Sequence, residues 1–167
     1  GIVRIGRKKQ KVPKRANFGE GHNILVDGQL HDEYGTRIGH LTKPSAALVT
    51  RLCEKITKNT DIFEDVEIRE CDDADLILVT YGSTSRPALR AMKEARDQGL
   101  KVGWVKIRTL FPFPDKTLEK LVKPGRKFMV PEMNIGKIVN EVTRVTGTKA
   151  ISLSKMGGEM HTPAEVL

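Results

Sequence analysis

The sequence predicts an α/β domain of three layers, α/β/α, whose sheet has four parallel strands and one acidic edge strand. Three observations lead there. Apolar runs such as "DLILVTYG" (75–82) have the pattern of strands covered on both faces. From residue 74 onward such runs alternate with segments of helical period. The connections between them are short, which favours parallel pairing through right-handed crossovers.

Each element follows from its residues. In 44–58, Leu48, Leu52 and Ile56 recur every fourth position with Val49 and Cys53 beside them, one apolar face of a helix. Pro44 falls where a first-turn proline is tolerated, and Asn59–Asp61 closes the segment. "DVEIRE" (Asp65–Glu70) alternates Val66 and Ile68 with charge, as on a half-exposed edge strand. After the buried strand 75–82, the segment 83–99 opens on hydroxyl caps and Pro87, turns Leu89, Met92 and Ala95 inward, and stops at Gly99. Lys101–Ile107 is the next strand. Asp115 caps a short helix through Leu118, Leu121 and Val122, ended by "KPG". Arg126–Asn134 is a third buried strand. Asn134 is expected to cap a helix with Ile135, Ile138, Val139, Val142 and Val145 in one stripe, stopped by Gly147. Lys149–Gly158 reads as the fourth parallel strand, and a tail helix begins near Pro163.

Residues 1–43 have a different grammar, rich in Gly and charge with one apolar island, "NILV" (Asn23–Val26), that reads as a strand ending at Asp27–Gly28. The expected organisation is a residual domain end with a basic arm in 1–43, a connecting helix and linker in 44–64, and the α/β domain in 65–167. The 167-residue chain lacks an initiator Met and enters in mid-pattern, so it reads as a fragment or a processed chain.

With 30% charged residues and no apolar run near the ~20 residues that cross a bilayer, a soluble, cytoplasmic protein with no membrane partner is expected. The N-terminus has neither the apolar core nor the cleavage site of a signal peptide. Cys53, Cys71 and four histidines show no metal-ligand spacing, so the thiols read as reduced and structural. Any iron–sulfur or metal chemistry would come from another polypeptide. The net charge of +8 gathers in Arg4, Arg7, Lys8, Lys9, Lys11, Lys14 and Arg15, without interleaved aromatics. That favours a solvated tail, or a linker against an acidic partner, over a nucleic-acid platform.

Ligands of such sheets lie beyond the carboxyl ends of the strands. The loops there are Tyr81–Arg86, Arg108–Pro114, Pro131–Asn134 and Lys155–His161. The first offers Gly82, Ser83, Thr84, Ser85 and Arg86 as an anion cradle, or simply as a turn and cap. Glu132 is a candidate acid or base, with pairing to Arg108 or Lys155, or facing a partner, as the blander reading. His31 beside Asp32 and Glu33 has the composition of a metal or acid–base cluster but reads as turn or interface structure, and His161 has no visible companion. "RTLFPFP" (Arg108–Pro114) places Phe111 and Phe113 each before a proline, with one expected to cover the sheet and the other to meet a neighbour. Nothing here forms a self-contained active site.

"GQLHDEYG", "YGSTSR", "RTLFPFP" and "VPEMNIGKIVNEV" follow one another in an order that resembles the alpha subunit of 2-oxoacid:ferredoxin oxidoreductases, most closely the 2-oxoglutarate type, over Gly19–Leu167. The resemblance implies a transketolase C-terminal-domain-like fold, a mixed five-stranded sheet whose first strand is antiparallel to four parallel ones. It makes Gly19–Leu41 the end of a thiamine diphosphate pyrimidine-binding-like domain and Ser45–Asn59 the connecting helix. It implies oxidative decarboxylation of a 2-oxoacid to an acyl-CoA with ferredoxin as electron acceptor. Thiamine diphosphate and magnesium belong to the complex, iron–sulfur clusters to partner subunits, and no cofactor is expected on this chain alone. The partners implied are the beta subunit, with gamma and delta subunits in some complexes. No catalytic residue carries over, because the family's substrate and cofactor contacts from the alpha subunit lie mostly in the first domain, before Gly19. Ser83, Ser85, Arg86 and Arg108 are the candidate CoA-facing rim; Phe111, Phe113 and Glu132 are the candidate interface. The segment is expected to act mainly in assembly and to be inactive alone. Two other readings stand beside this one: the C-terminal domain of a transketolase-like enzyme, and a basic nucleic-acid-binding α/β domain.

Overall fold

The computed structural model describes residues 19–21, 28–31, 37–39 and 42–167. The basic arm, "NILV" and the pair Asp32–Glu33 lie outside the described residues. The chain divides into two compact units, Gly1–Thr60 and Asp61–Leu167.

In the first unit His31 and Arg37 form an isolated antiparallel bridge. Helix α1 (Thr42–Thr57) occupies the expected segment but has no buried residue. Val49, Leu52 and Cys53, read as part of an apolar face, are exposed.

The second unit begins within a short turn of helix α2 (Thr60–Phe63) and continues with strands β1 (Val66–Arg69), β2 (Leu76–Tyr81), β3 (Val102–Ile107), β4 (Lys127–Glu132) and β5 (Ile151–Ser154). The helices between and after them are α3 (Ser85–Asp97), α4 (Asp115–Glu119), α5 (Ile138–Thr146) and α6 (Pro163–Val166). The sheet order is β1-β3-β2-β4-β5. β1 is antiparallel to β3, with Val66 opposite Ile107, and every other pair is parallel. The mixed sheet is therefore the expected one.

The strands are apolar on both sides because each side meets a helical layer. Ile77, Val79, Val105 and Phe128 pack with Leu118 of α4 and with Val139 and Val142 of α5. Leu78 and Trp104 point the other way and pack with Ala88, Ala91 and Met92 of α3 and Val166 of α6. Trp104 Nε1 donates to the Ser85 carbonyl at 3.2 Å, so its one polar group is satisfied inside the core.

Several boundaries differ from the sequence reading. Ser83 and Thr84 do not cap α3 through their hydroxyls; they lie in a 3-10 turn (Gly82–Thr84), and Thr84 Oγ1 donates back to the Tyr81 carbonyl at 2.9 Å. The fourth parallel strand is shorter than expected, four residues rather than most of 149–158. Helix α5 starts at Ile138, not beyond Asn134, which removes Ile135 from the core stripe and leaves it 77% exposed.

Candidate functional site at the strand ends

β2 and β4 are neighbours, yet α3, which follows β2, covers one face of the sheet and α5, which follows β4, covers the other. Neighbouring strands whose following helices diverge in this way leave a crevice at their carboxyl ends, where open α/β sheets bind ligands. The β2–β4 ladder runs only from Leu76↔Lys127 to Leu78↔Met129, although both strands continue three residues further. Pro131 gives a reason. Lys155 N donates to the Glu132 carbonyl, so the polar groups of Glu132 face β5 and those of Pro131, by alternation, face β2. Proline has no N–H to extend the ladder.

Glu132 occupies that crevice. Its side chain is fully buried, and Oε1 accepts from the Tyr81 hydroxyl at 3.0 Å, Asn134 Nδ2 at 3.2 Å and the Ile138 N–H at 2.9 Å. Oε2 accepts from the Val139 N–H at 3.0 Å. The chain thus supplies its own anion to the positive end of α5. Burial pushes the Glu132 pKa up, but the N–H groups of Ile138 and Val139, the Tyr81 hydroxyl and the Asn134 amide outweigh it and hold the carboxyl below its ordinary value. Burial, and then the bond to the Glu132 carboxylate, raise the Tyr81 phenol.

Asn134 completes the arrangement. Its Nδ2 donates to the Tyr81 hydroxyl at 2.9 Å, and its Oδ1 accepts from the Gly136 N–H at 2.7 Å and the Lys137 N–H at 3.2 Å. Gly136 has φ +92, and a Cβ there would come within 3.1 Å of Val139 Cγ1, so the turn needs glycine. This Asx-type turn delays the start of α5 and turns Ile135 outward.

The expected site residues are dispersed rather than convergent. Glu132 does not pair with Arg108 or Lys155, and it reaches no surface from which it could face a partner, because its own chain saturates and covers it. Arg108 bonds Asp65 at 3.2 Å and Glu67 at 2.7 Å. Ser85 is buried, and its hydroxyl has no partner. Ser83 Oγ lies 3.6 Å from Met133 Sδ. Of the four rim candidates only Arg86 is exposed with an unpaired charge. The two phenylalanines separate: Phe113 packs partly buried against the core, whereas Phe111 is 73% exposed. His161 is buried, with Nε2 3.0 Å from the Leu153 carbonyl and Nδ1 without a partner.

Sequence reasoning missed three side chains on this rim. Ile135, Met156 and Met160 are exposed. The signal was present: Gly136 directly after Ile135, and Gly157–Gly158 after Met156, mark turns rather than a helix or strand.

Comparison with known proteins extends this geometry. A family model described as pyruvate:ferredoxin oxidoreductase core domain II matches residues 74–166. The chain is 40% identical over 152 residues to 2-oxoglutarate synthase subunit KorA of Methanothermobacter marburgensis, covering 90% of this chain and 40% of that protein. It is 40% identical over 158 residues to 2-oxoglutarate synthase subunit KorA of Methanocaldococcus jannaschii, covering 93% and 42%. It also resembles a solved 2-oxoglutarate:ferredoxin oxidoreductase from Magnetococcus marinus with 2-oxoglutarate, coenzyme A and succinyl-CoA bound, with TM-score 0.70 and 25% identity over 91% of this chain and 27% of that one. The chain spans about two fifths of the length of the curated relatives it matches.

Proposed function

Because this chain belongs to the pyruvate:ferredoxin oxidoreductase core domain II family, we propose that it is a portion of the alpha subunit of a 2-oxoacid:ferredoxin oxidoreductase that uses 2-oxoglutarate. The 40% identity to 2-oxoglutarate synthase subunits supports the substrate class. The reaction is oxidative decarboxylation of the 2-oxoacid to its acyl-CoA, with carbon dioxide released and two electrons passed to ferredoxin. Coenzyme A in the similar Magnetococcus marinus structure supports the acceptor.

Thiamine diphosphate would supply the carbanion chemistry of the complex. Among the described residues no three His, Cys, Asp or Glu side chains are placed to hold its magnesium. The crevice carboxylate, Glu132, is saturated by its own chain. Thiamine diphosphate, magnesium and the iron–sulfur clusters are assigned to the rest of the alpha subunit and to the beta, gamma or delta subunits.

The observation that carries the reading for this segment is the plugged crevice. A strand-end crevice filled by Tyr81, Glu132 and Asn134 acts as a rigid brace under the rim loops. We assign the 65–167 domain to assembly, with Phe111 as a contact residue and Phe113 anchoring its loop. The alternative to a partner contact at Arg86 is a CoA-facing role with Ser83, which an unchanged KM for CoA in Arg86→Ala would remove. The experiment for the whole proposal is 2-oxoglutarate- and CoA-dependent viologen dye reduction by the complex purified through this chain. Dye reduction that requires both substrates supports it; a complex that turns over no 2-oxoacid overturns it.

A further inference from the structure

The strand-end rim gathers exposed apolar side chains from three separate loops. Leu110 and Phe111 follow β3, Ile135 follows β4, and Met156 and Met160 follow β5. These strands run in one direction, so the loops that leave them share one edge of the sheet. At about 4.8 Å per strand step, β3 to β5 spans roughly 15 Å. From their exposures the five side chains together present on the order of 500 Å² of apolar surface, distributed over the three loops. One side of a standard protein interface buries about 800 Å².

Most charge at the rim is paired within the chain. Arg108 is neutralised by Asp65 and Glu67, and Lys155 is shared by Glu165 at 2.9 Å and Glu159 at 3.5 Å. Arg86 at the start of α3 and Lys137 just before α5 have no carboxylate partner among the described residues. Lys137 lies two residues after Ile135, Arg86 follows the neighbouring strand β2, and Glu132 and Asn134 hold the Ile135 loop in place.

We infer that this rim docks a protein partner whose contact surface is apolar at its centre and carries carboxylates at its edge. The inference rests on the reading above in one respect, that the enzyme is an assembly of subunits. Two free cations are too few for a phosphate backbone, whose binding scales with the number of charges neutralised. Short loops of mixed shape are not the amphipathic helix that lies on a lipid surface. Exposed methionines adapt to a partner's contour and are used at binding surfaces, and desolvated cation–carboxylate pairs at the margin fix register.

The test uses the complex isolated through this chain. A carbodiimide, which joins an ammonium to a carboxylate with no spacer, is expected to link Lys137 to an Asp or Glu of a different polypeptide. Arg86→Glu with Lys137→Glu should weaken association of the subunits by about ten-fold or more, and Phe111→Asp with Ile135→Asp should do the same. Thermal melting of the variant chains should match that of the parent, because the side chains are exposed. Links from Lys137 only to its own chain or to a second copy overturn the proposal, as does normal assembly of both double variants. Dye reduction is scored separately. Rim-dependent assembly without 2-oxoacid turnover sinks the enzymatic reading alone, and an active complex indifferent to the rim variants sinks the docking surface alone.

Discussion

The Tyr81 hydroxyl donates to Glu132 Oε1 across 3.0 Å, joining the ends of β2 and β4 three residues beyond the last pair of their backbone ladder. A side-chain bond thus closes the sheet at the place where Pro131 prevents a backbone one. The carboxylate that makes it also holds the first turn of α5, so sheet end, loop and helix move as one body.

Glu132→Gln should therefore destabilise the chain by roughly 2–4 kcal/mol, because the new amide N–H₂ faces backbone donors and the buried bonds lose their charge. Tyr81→Phe should cost less, about 1 kcal/mol, since Asn134 still bonds the carboxylate. Urea melts of the two variants check the order.

Acid should weaken the fold through the same group. The Glu132 pKa in the folded chain lies below its ordinary 4.5, so above that pH both folded and unfolded states are ionised and its contribution is complete. As pH falls below about 4.5, the unfolded chain takes up the proton first and stability declines until the folded pKa is passed. Glu132→Gln should flatten this slope. What remains should come from Glu67, Asp73 and Glu165, the last held down to about 2 by the Thr162 N–H and Lys155. Stability measured from pH 7 to pH 3 in both proteins makes the comparison.

Phe111 and Phe113 should respond oppositely. Phe113→Ala removes a ring packed on the core and should cost about 2–3 kcal/mol. Phe111→Ser removes an exposed ring and should leave the melting point within the range of about ±0.5 kcal/mol expected for surface changes. Equal losses would show that both rings serve the core.

Gly103→Ala should destabilise by roughly 1–3 kcal/mol. A Cβ there would sit 2.8 Å from Cys71 Sγ and 3.0 Å from the Glu70 carbonyl, both held by the loop between β1 and β2. Glu70 is itself at φ 52, so that loop has little room to yield. Cys71→Ala in the same chain should recover part of the loss, read by thermal melts of the single and double variants.

The layers were legible in the sequence because they depend on period. Ile77, Leu78 and Val79 form a run that only a doubly covered strand tolerates, and Met92 and Ala95 recur on one helical face. The start of α5 was not legible, because Ile135 falls in the helical stripe by period alone. Its position is decided by the Asn134–Gly136 turn and the Glu132 carboxylate, contacts that form only once β4 and α5 are in place. The same holds for Glu132 as a candidate site residue: its type suggested chemistry or an interface, whereas five donors from its own chain determine what it does. In α1 the apolar period predicts the helix but not its burial, since Val49 and Leu52 remain exposed. Phe111 and Phe113 are alike in sequence and were separated only by the path of the loop.

We propose that this segment serves a 2-oxoacid:ferredoxin oxidoreductase through assembly rather than by residues that touch the reacting atoms. The most direct measurement is 2-oxoglutarate- and CoA-dependent dye reduction by this chain alone and by the assembled complex, with kcat expressed per assembled complex for the parent and for Arg86→Ala. The expected result is no turnover by the chain alone, turnover by the complex, and a kcat per complex that Arg86→Ala leaves unchanged. Turnover by the isolated chain, or a kcat that collapses in fully assembled Arg86→Ala complexes, would contradict it.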